Sequence, residues 1–553
     1  MDRSLPVWVV TALFLALLIL LPMAWLVVVS VSGDGGAGFA SYRLALTDPH
    51  LRKALWNTVV LAFWVGVFSL LIGAPMAWLT ARTDLPRKRA IRALMLASFV
   101  TPPFLGAFAW VMLAGPNAGV LNKLYREITG AEGPLFDIFT MPGLIFAVTL
   151  YTFPYVFIMI ANTLELIASD LEEAAAILGA RRITVALTVT LPMVLPAIAS
   201  GFILAVLQAM ALFGSPAILA LPAGFHTITT QIWSYFQYPP KVELAAAASM
   251  PLLVATALLL YLQKRLLGRR GYASVGGKSG QRRTIPLGAW RWPAFAACLA
   301  VMACSIFLPY AVLTRAALSR AWAQPLSWDN FTLGNIWFTF WQYSATKSAV
   351  VNTLELGIMT ATVGALLAAL LAYTVNRRLV PGSQLLPFLV LAPVVIPGVV
   401  LAVGLFIAYT RPPLVLYGTL WIMFAAFLTK ELPIGYSRTP STSRPSTRCT
   451  SATVANVMRS MNRPSTAMAP NCPSSLRSMI TTEITLVLGV KRMIEADSSR
   501  MTPMKMKHQV AMMPLRASGA VISRSTRSRP APRMRPASSS SLCTPRNVAS
   551  DCE

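Results

Sequence analysis

A short acidic stretch followed by small residues is the part of this sequence best suited to bind another protein. Glu172 and Glu173 are followed by Ala174 and Ala175, and Gly179 comes four positions later. Alanine favours a helix, and carboxylates favour its first turn, where backbone N–H groups are unpaired. A glycine can end such a helix or let a partner backbone approach closely. These residue types predict a rigid docking helix, and the chemistry expected of it is recognition rather than catalysis.

The flanking residues place this helix between two long apolar segments. Ser169 or Asp170 can cap its start by accepting hydrogen bonds from the backbone. Arg181 and Arg182 follow its end, where the helix dipole favours positive charge. The complete loop covers residues 166–196 and includes Leu191 and Pro192.

The composition is that of an integral membrane protein. Of the 553 residues, 56% are hydrophobic and only 12% are charged, and the mean hydropathy of +0.62 lies far above that of soluble globular proteins. Apolar runs long enough to cross a bilayer recur as far as Lys430, and a backbone in lipid must satisfy its own hydrogen bonds. The prediction is therefore an all-α, polytopic fold without barrel strands.

Basic residues predict which ends of the spans face the cytoplasm. Clusters of Lys and Arg follow the second, sixth and eighth predicted spans, and all lie on one side if the N-terminus is cytoplasmic. The loop 166–196 is then cytoplasmic as well. The first span is too long for a signal-peptide core and is predicted to remain uncleaved. The predicted spans are 7–31, 55–80, 91–113, 142–166, 194–218, 245–266, 294–317, 348–375, 385–408 and 414–432.

An internal duplication becomes visible when the chain is aligned with itself at a shift of about 295 residues. Both copies keep the same orientation because an even number of spans separates them. Two similar halves are therefore expected to face each other about an axis along the membrane normal, with a pathway between them. The matched positions include Asn57-Thr58 with Asn352-Thr353, Arg82 with Arg377, and Pro102 with Pro397.

The loop 166–196 resembles the cytoplasmic signature of the membrane subunits of bacterial ABC importers. That signature is Glu-Ala-Ala, three residues, Gly, nine residues and Ile-x-Leu-Pro. Glu173-Ala174-Ala175, Gly179 and Leu191-Pro192 stand at this spacing, with Val189 in the place of Ile. In the family this helix docks into a cleft of the ATP-hydrolysing subunit, whereas the plainer alternative is an ordinary solvated loop helix. The resemblance implies ATPase coupling by Glu172, Glu173, Ala174, Ala175, Gly179, Leu191 and Pro192.

The resemblance implies a transport subunit of the bacterial inner membrane rather than an enzyme. An ABC ATPase subunit dimer would bind the ATP, so no cofactor is expected on this chain, and a periplasmic binding protein would deliver the substrate. The fused, two-domain arrangement resembles ferric-iron permeases most, with thiamine and phosphonate permeases as alternatives. An ion-coupled secondary transporter or channel is the alternative class, but the ionisable mid-membrane groups that such proteins use are scarce here.

Other signals in the sequence are weaker. Val275 to Ser279 ends like a phosphate-binding loop, but Tyr272 stands where the first glycine is needed. The net charge of +27 falls mostly in loops and in the C-terminal region, so nucleic-acid binding is not predicted. Three His and six Cys form neither a ligand cluster nor a CxxC pair, so neither a metal site nor a disulfide framework is expected. Polar residues within the spans are interpreted as interhelical hydrogen-bond partners, namely Asn57, Gln208 and Asn352.

The composition changes abruptly after Tyr436. Residues 437–553 contain no Phe, Trp or Tyr, and the second coupling helix that the repeat predicts near residue 451 is missing. One interpretation is a disordered tail, because such a composition cannot bury a core. The other is an inverted or out-of-frame DNA segment. Pro536 to Glu553, back-translated with suitable codons and read one base out of phase on the complementary strand, can spell SQSEATFRGVHRELEEAGR.

The predicted organisation therefore ends in an incomplete second half, which we expect to impair function because one ATPase subunit would lack its docking helix. The predicted regions are a first transmembrane helix with an external loop (1–54), a first permease domain (55–268) with the coupling loop (166–196), a basic cytoplasmic linker (269–293), an incomplete second permease domain (294–436), and a disordered or aberrant tail (437–553).

Overall fold

The computed structural model describes residues 5–33, 36–37, 39–167, 170–268, 284–324, 327–376, 385–412 and 414–438. Most of the predicted linker, nearly all of the predicted tail and the expected second coupling helix lie outside these residues. The helices of the first half are α1 (Leu5–Leu15), α2 (Leu21–Val31), α3 (Ala40–Thr47), α4 (Pro49–Arg82), α5 (Lys88–Val100), α6 (Pro103–Ala114), α7 (Val120–Thr129), α8 (Met141–Leu166), α9 (Asp170–Ile177), α10 (Arg182–Val185), α11 (Leu191–Ala211), α12 (Gly214–Leu219), α13 (Ile228–Ser234) and α14 (Val242–Gly268). Those of the second half are α15 (Arg291–Met302), α16 (Leu308–Ala317), α17 (Gly334–Trp337), α18 (Ser344–Asn376), α19 (Leu385–Val395), α20 (Gly398–Tyr409) and α21 (Leu420–Arg438).

The predicted all-α, polytopic fold is confirmed. Within the described residues, seven helices are long and apolar enough to cross a membrane, and two bent helix pairs bring the number to as many as nine. Strand structure in this part of the chain is confined to one antiparallel pair of two-residue strands, β1 (Ser32–Gly33) and β2 (Gly36–Ala37). The fold is therefore a helical membrane bundle.

The third and ninth predicted spans are bent rather than straight. The axes of α5 and α6 differ by 97°, and those of α19 and α20 by 113°. The bends fall at Pro102 and Pro397, whose backbones are extended with ψ of 126° and 144°. Proline has no N–H to donate and disfavours a helical conformation in the residue before it. Both prolines are paired by the internal repeat, so the duplication has a structural counterpart.

Two other spans differ from their predictions. The fifth ends at Ala211 rather than at residue 218, because Leu212 is extended with ψ of 129° and the short helix α12 follows. The tenth corresponds to α21, which is not among the helices apolar enough to span. Lys430 and Glu431 stand in its middle and lower its apolar character.

Small residues allow the central helices of the first half to pack closely. A Cβ atom on Gly73 of α4 would lie 3.0 Å from the carbonyl oxygen of Phe153 in α8. On Gly201 of α11 it would lie 3.2 Å from the Cα of Val156. In a membrane the hydrophobic effect does not drive helices together, so they associate mainly by close packing, which small residues at the interface allow. The three helices α4, α8 and α11 therefore form the centre of this half.

The first helix of the chain packs against the second half. Leu15 and Ile19 are buried in one cluster with Leu371 of α18 and Leu428 of α21. The hydroxyl of Tyr409 in α20 also donates to the carbonyl oxygen of Leu17, at 2.8 Å. Residues 5–31 of the first half thus pack against the second half.

In the same way, the first helices of the second half pack against the first half. Cys298 and Met302 of α15 are buried with Met95 of α5 and other residues of the first half. The hydroxyls of Tyr310 in α16 and Thr101 lie 3.1 Å apart. Each half therefore receives a helix from the other, and the two are intertwined.

Candidate functional site: the loop between α8 and α11

The loop that carries the sequence signature contains a short helix of its own. Helix α8 ends at Leu166, and α9 runs over two turns from Asp170 to Ile177. Helix α10 and a π-helical turn (Ala186–Thr190) then lead into α11. Because α8 and α11 both belong to the centre of the first half, the loop that contains α9 connects two core helices directly.

Gly179 ends α9 in a left-handed conformation. Its φ is +85°, a region that residues with a side chain rarely adopt. The N–H of Ala180 donates to the carbonyl oxygen of Ala175 at 3.1 Å, which is the six-to-one hydrogen bond of a Schellman motif. A Cβ atom at this glycine would meet no other atom within 4 Å. Backbone conformation therefore explains the glycine, and the surface beside it is open to a partner.

The end of α9 exposes two large apolar side chains, which we call the apolar tip. Ile177 is 86% exposed and Leu178 is 88% exposed, and they are followed by the exposed Gly179. Ala174, one turn earlier, is exposed as well. Adjacent apolar side chains at the end of an anchored helix are typical of a surface that another protein covers.

Glu172 faces the membrane domain and not the tip. Its Oε1 atom accepts a hydrogen bond from the hydroxyl of Thr190 at 2.8 Å. The same oxygen lies 3.5 Å from the guanidinium of Arg82, at the end of α4. The Arg82 side chain is 6% exposed and that of Glu172 is 21% exposed. Glu172 therefore anchors α9 to α4 and to the start of α11.

The remaining signature residues are distributed along the loop. Glu173 contributes its backbone to α9, and its side chain lies outside the described residues. Ala175 is half-buried, whereas Leu191 and Pro192 are exposed at the start of α11. The signature residues thus lie within one loop but do not form one contiguous cluster.

Leu191-Pro192 has a structural role that recurs elsewhere in the chain. The N–H of Leu191 donates to the carbonyl oxygen of Ala186, five residues earlier, and so closes the π turn. The same π turn precedes Leu21-Pro22 and Leu308-Pro309. Proline lacks an N–H and its ring clashes with the carbonyl four residues earlier, so a wider turn relieves both problems. This dipeptide shapes the entry of α11 whether or not a partner binds.

A second ion pair lies at the same edge of the bundle. Arg92 of α5 pairs with Glu165 of α8, and its guanidinium also donates to the carbonyl oxygen of Thr80 at 3.0 Å. This pair joins α5 to α8 and does not involve α9. The sequence did not predict that Arg82 and Thr190 contact Glu172. The one signal in it was that Arg82 matches Arg377 in the repeat.

Polar groups near the outer ends of the helices hold the first half together. The amide of Asn57 in α4 donates to the carbonyl oxygen of His226, in the segment before α13, at 2.9 Å, so its partner is a loop backbone and not the second helix predicted for it. Burial, together with the nearby His50, lowers the pKa of His226. The hydroxyl of Tyr235 donates to the carboxylate of Asp48 at 2.9 Å, and burial and this carboxylate raise the pKa of Tyr235 to about 12.

Gln208 of α11 does contact a second helix, because its amide donates to the hydroxyl of Tyr155 in α8 at 2.6 Å. Asn352 lies on an exposed face of α18. No group of three His, Cys, Asp or Glu side chains that could hold a metal ion occurs in the part of the chain that the structure describes.

Comparison with known proteins identifies the family. Residues 69–271, which include the whole loop, match the family described as binding-protein-dependent transport system inner membrane component. Over 215 residues the chain is 32% identical to the molybdenum transport system permease protein ModB of Mycobacterium tuberculosis, which covers 39% of this chain and 79% of that protein. The chain belongs to this family. Its family is that of multi-pass inner-membrane components, as the resemblance of its loop predicts.

Other permeases match over different lengths. The chain is 25% identical over 396 residues to the ferric transport system permease protein FbpB of Actinobacillus pleuropneumoniae, which covers 70% of this chain and 56% of that relative. This permease therefore spans little more than half the length of that relative. A solved structure of a bacterial alginate ABC transporter, in complex with an alginate pentasaccharide-bound periplasmic protein, is 20% identical with a TM-score of 0.41, covering 48% of this chain and 95% of that one.

Proposed function

We propose that this chain is the membrane-spanning permease subunit of an ATP-driven importer, and that it passes a substrate from a periplasmic binding protein into the cytoplasm. The observation that supports this most directly is the anchored helix α9 with its apolar tip, Ile177 and Leu178. A helix fixed at its base and exposed at its end can receive force from another protein. Basic residues at and just after the C-terminal ends of α4 and α14 support a cytoplasmic position for this loop, on the side where ATP is available.

We expect α9 to transmit force because the loop that contains it connects two core helices. An ABC ATPase dimer that closes on ATP would seat the apolar tip in a cleft and displace α9. Because α8 and α11 flank α9, the displacement reaches the centre of the first half. The two halves would then rock about their interface and expose the pathway to each side of the membrane in turn. In this proposal the chain moves but does not hydrolyse ATP, and Glu173, Ala174 and Gly179 contact the ATPase.

Ferric iron is the substrate we propose, because the ferric permease relative covers 70% of this chain and therefore includes parts of both halves. Molybdate is the second candidate, since the molybdenum permease is more similar in sequence, at 32% identity, over 39% of the chain. Uptake of radioactive ferric iron and of molybdate, measured in cells that contain the chain, its ATPase and its binding protein, separates the two. Saturable, ATP-dependent uptake of molybdate but not of iron would reject the first choice.

The coupling proposal is tested at the apolar tip. Replacing Ile177 and Leu178 by Asp places two charges where the ATPase cleft would exclude water. We expect loss of co-purification with the ATPase and loss of ATP-driven uptake. The matched control is Leu266→Asp, which changes another exposed leucine at a cytoplasmic helix end, away from α9.

Three outcomes would contradict the proposal. One is normal ATPase binding and uptake by the tip variant. Another is an equal loss in the Leu266 control, which would show that charge at any cytoplasmic helix end is harmful. The third is uptake that persists without ATP and disappears when the ion gradient is collapsed, which is the behaviour of a secondary transporter.

A further inference from the structure

Arg82 is a buried cation at the cytoplasmic end of α4. Only 5% of the residue is exposed, although arginine is rarely buried without partners. Helix α4 has 34 residues and would be about 51 Å long, which is far more than the hydrocarbon core needs. Its last turn therefore projects beyond the core and reaches the coupling loop.

The Arg82 side chain joins the coupling loop to α4. Its Nη2 atom donates to the carbonyl oxygen of Ile167, just after α8, at 3.2 Å. The same atom lies 3.5 Å from Oε1 of Glu172 in α9, and this carboxylate also accepts the hydrogen bond of Thr190. One guanidinium thus contacts the residue after α8 and a carboxylate of α9. Through that carboxylate, Glu172, it is also linked to Thr190 at the start of α11.

The Arg82 main chain is tied to the segment that leads into the second half. Its carbonyl oxygen accepts a hydrogen bond from the N–H of Ile285 at 2.8 Å. The N–H of Asp84 donates to the carbonyl oxygen of Ile285 at 3.2 Å, and the Asp84 carboxylate accepts from the N–H of Leu287 at 2.8 Å. Helix α15 begins soon afterwards at Arg291, and it packs against α5. The same residue therefore contacts the coupling loop by its side chain and the interdomain segment by its main chain.

Arginine suits this position for a physical reason. Its planar guanidinium presents several donors in fixed directions, so it can contact a carbonyl and a carboxylate together, which a single ammonium group does less well. In a site shielded from water the attraction between the guanidinium and the carboxylate is stronger than at the surface. Separating the two would take a carboxylate away from a buried guanidinium, which costs free energy, so Arg82 and Glu172 are expected to move together.

We infer that Arg82 is the positioning residue that transmits displacement of α9 to α4 and to the second half. This inference rests on the proposed function and adds to it the route by which motion leaves the coupling helix. Arg82 contacts neither the ATPase nor the substrate in this account. Arg92 with Glu165 provides the comparison, because that ion pair lies at the same membrane edge but does not touch α9.

The test separates docking from transmission in the full chain, assembled with its ATPase and binding protein in lipid nanodiscs. Docking is measured as a disulfide cross-link between Leu178→Cys and a cysteine in the ATPase cleft. Transmission is measured as the ATP- and vanadate-dependent change in distance between spin labels at Lys53→Cys and Tyr417→Cys, both exposed at the outer face. The native cysteines are replaced by serine in these chains.

The expected result is that Arg82→Met keeps the cross-link and loses the distance change, whereas Arg92→Met keeps both. If Arg82→Met keeps both, the inference is wrong and the proposed function is unaffected. If the unmodified chain forms no cross-link, the proposed function and this inference fail together.

Glu172→Gln provides a second variant that does not require Arg82 to be removed. The amide has almost the same shape and can still accept the hydrogen bond of Thr190, so the loop should fold. We expect the distance change to shrink while the cross-link remains, because the charge that holds the guanidinium is gone. The exchange variant Arg82→Glu with Glu172→Arg should restore part of the change. An undiminished change in folded Glu172→Gln would overturn the inference even if Arg82→Met could not be purified.

Discussion

Gly179 fixes where α9 ends and where the apolar tip points. Its φ of +85° costs a residue with a side chain about 1–2 kcal/mol. No atom of this chain lies near enough to clash with a new Cβ atom, so within the chain the conformation is the only constraint on this position. A β-branched residue would resist the left-handed region and shift the chain after Leu178.

Gly179→Val is therefore expected to reduce ATP-driven uptake strongly while the protein still folds. Uptake by membrane vesicles measures the effect, and thermal unfolding in detergent should change little because α9 lies at the periphery. Gly179→Asn is the control, since asparagine tolerates the left-handed region and should retain most activity. If the Val and Asn variants lose the same amount of uptake, the glycine is needed for contact with the ATPase and not for its backbone conformation.

His226 makes the outer part of the first half sensitive to acid. Its pKa is lowered below 6.5 by burial and by the nearby His50. Well above pH 6.5 the side chain is neutral in both folded and unfolded chains, so there it contributes nothing to pH dependence. As the pH falls below that value the unfolded chain binds a proton that the folded chain resists, so stability is lost.

We expect the unfolding temperature to fall as the pH is lowered from about 7.5 to about 5.5. In His226→Gln this fall should be smaller. Differential scanning fluorimetry of both proteins across that range measures it. His50→Gln should reduce the fall partly, because it removes the second cause of the lowered pKa. The interpretation is wrong if the wild-type and His226→Gln curves have the same slope.

At the scale of elements, the loop owes its geometry to a π turn that its own sequence requires. Pro192 makes the π turn favourable, and the π turn presents Thr190 to Glu172. In a regular helix each residue advances by about 100°, so one residue fewer in the turn would rotate Thr190 away. The Leu-Pro pair of the sequence signature thus acts on α9 indirectly.

Replacing Pro192 by Ala should allow the π turn to become a regular helical turn. We expect a disulfide between cysteines placed at positions 172 and 190 to form less readily in this background, and the oxidised fraction on a gel measures it. Pro196→Ala is the matched control, because Pro196 lies inside α11 with no π turn closing just before it. Unchanged cross-linking in Pro192→Ala would mean that the proline does not set this register.

The sequence predicts most elements of the described chain but not their bends. Apolar length predicts spans well, because it follows from the thickness of the bilayer. Pro102 and Pro397 are visible in the sequence, yet whether a proline kinks a helix slightly or turns it by about a right angle depends on what its neighbours pack against. The same is true of the fifth span, whose end at Ala211 follows from the packing of the segment after it.

For the whole molecule, the halves are held together because the first helices of each half pack against the other half. Helices α1 and α2 pack on α18 to α21, and α15 and α16 pack on α5 and α6. A Cβ atom at Gly404 of α20 would lie 3.0 Å from the carbonyl oxygen of Pro22, which shows how close this contact is. Each half is therefore incomplete without a helix of the other.

A chain divided within the linker, between residues 269 and 283, should still assemble. When both parts are expressed together, we expect a tag on one to retain the other in detergent. Gly404→Leu should weaken this retention because it forces α2 away from α20. Gly357→Leu is the control, since a Cβ atom at that exposed position of α18 would meet no atom within 4 Å. Failure of the unmodified parts to co-purify would show that the covalent linker, and not the helix exchange, holds the halves together.

The amino-acid sequence by itself determined the class of protein and the position of the short helix α9, and it predicts the duplication and the orientation of the spans. These depend on local quantities, namely apolar length, the placement of cations, and acidic and alanine residues followed by a glycine. Only the tertiary structure decided that Glu172 faces Arg82, 90 residues earlier in the chain, and that the first helix of each half belongs to the other. Such pairings depend on which surfaces fit together in three dimensions, and membrane helices of similar composition carry too little local information to select their partners in advance.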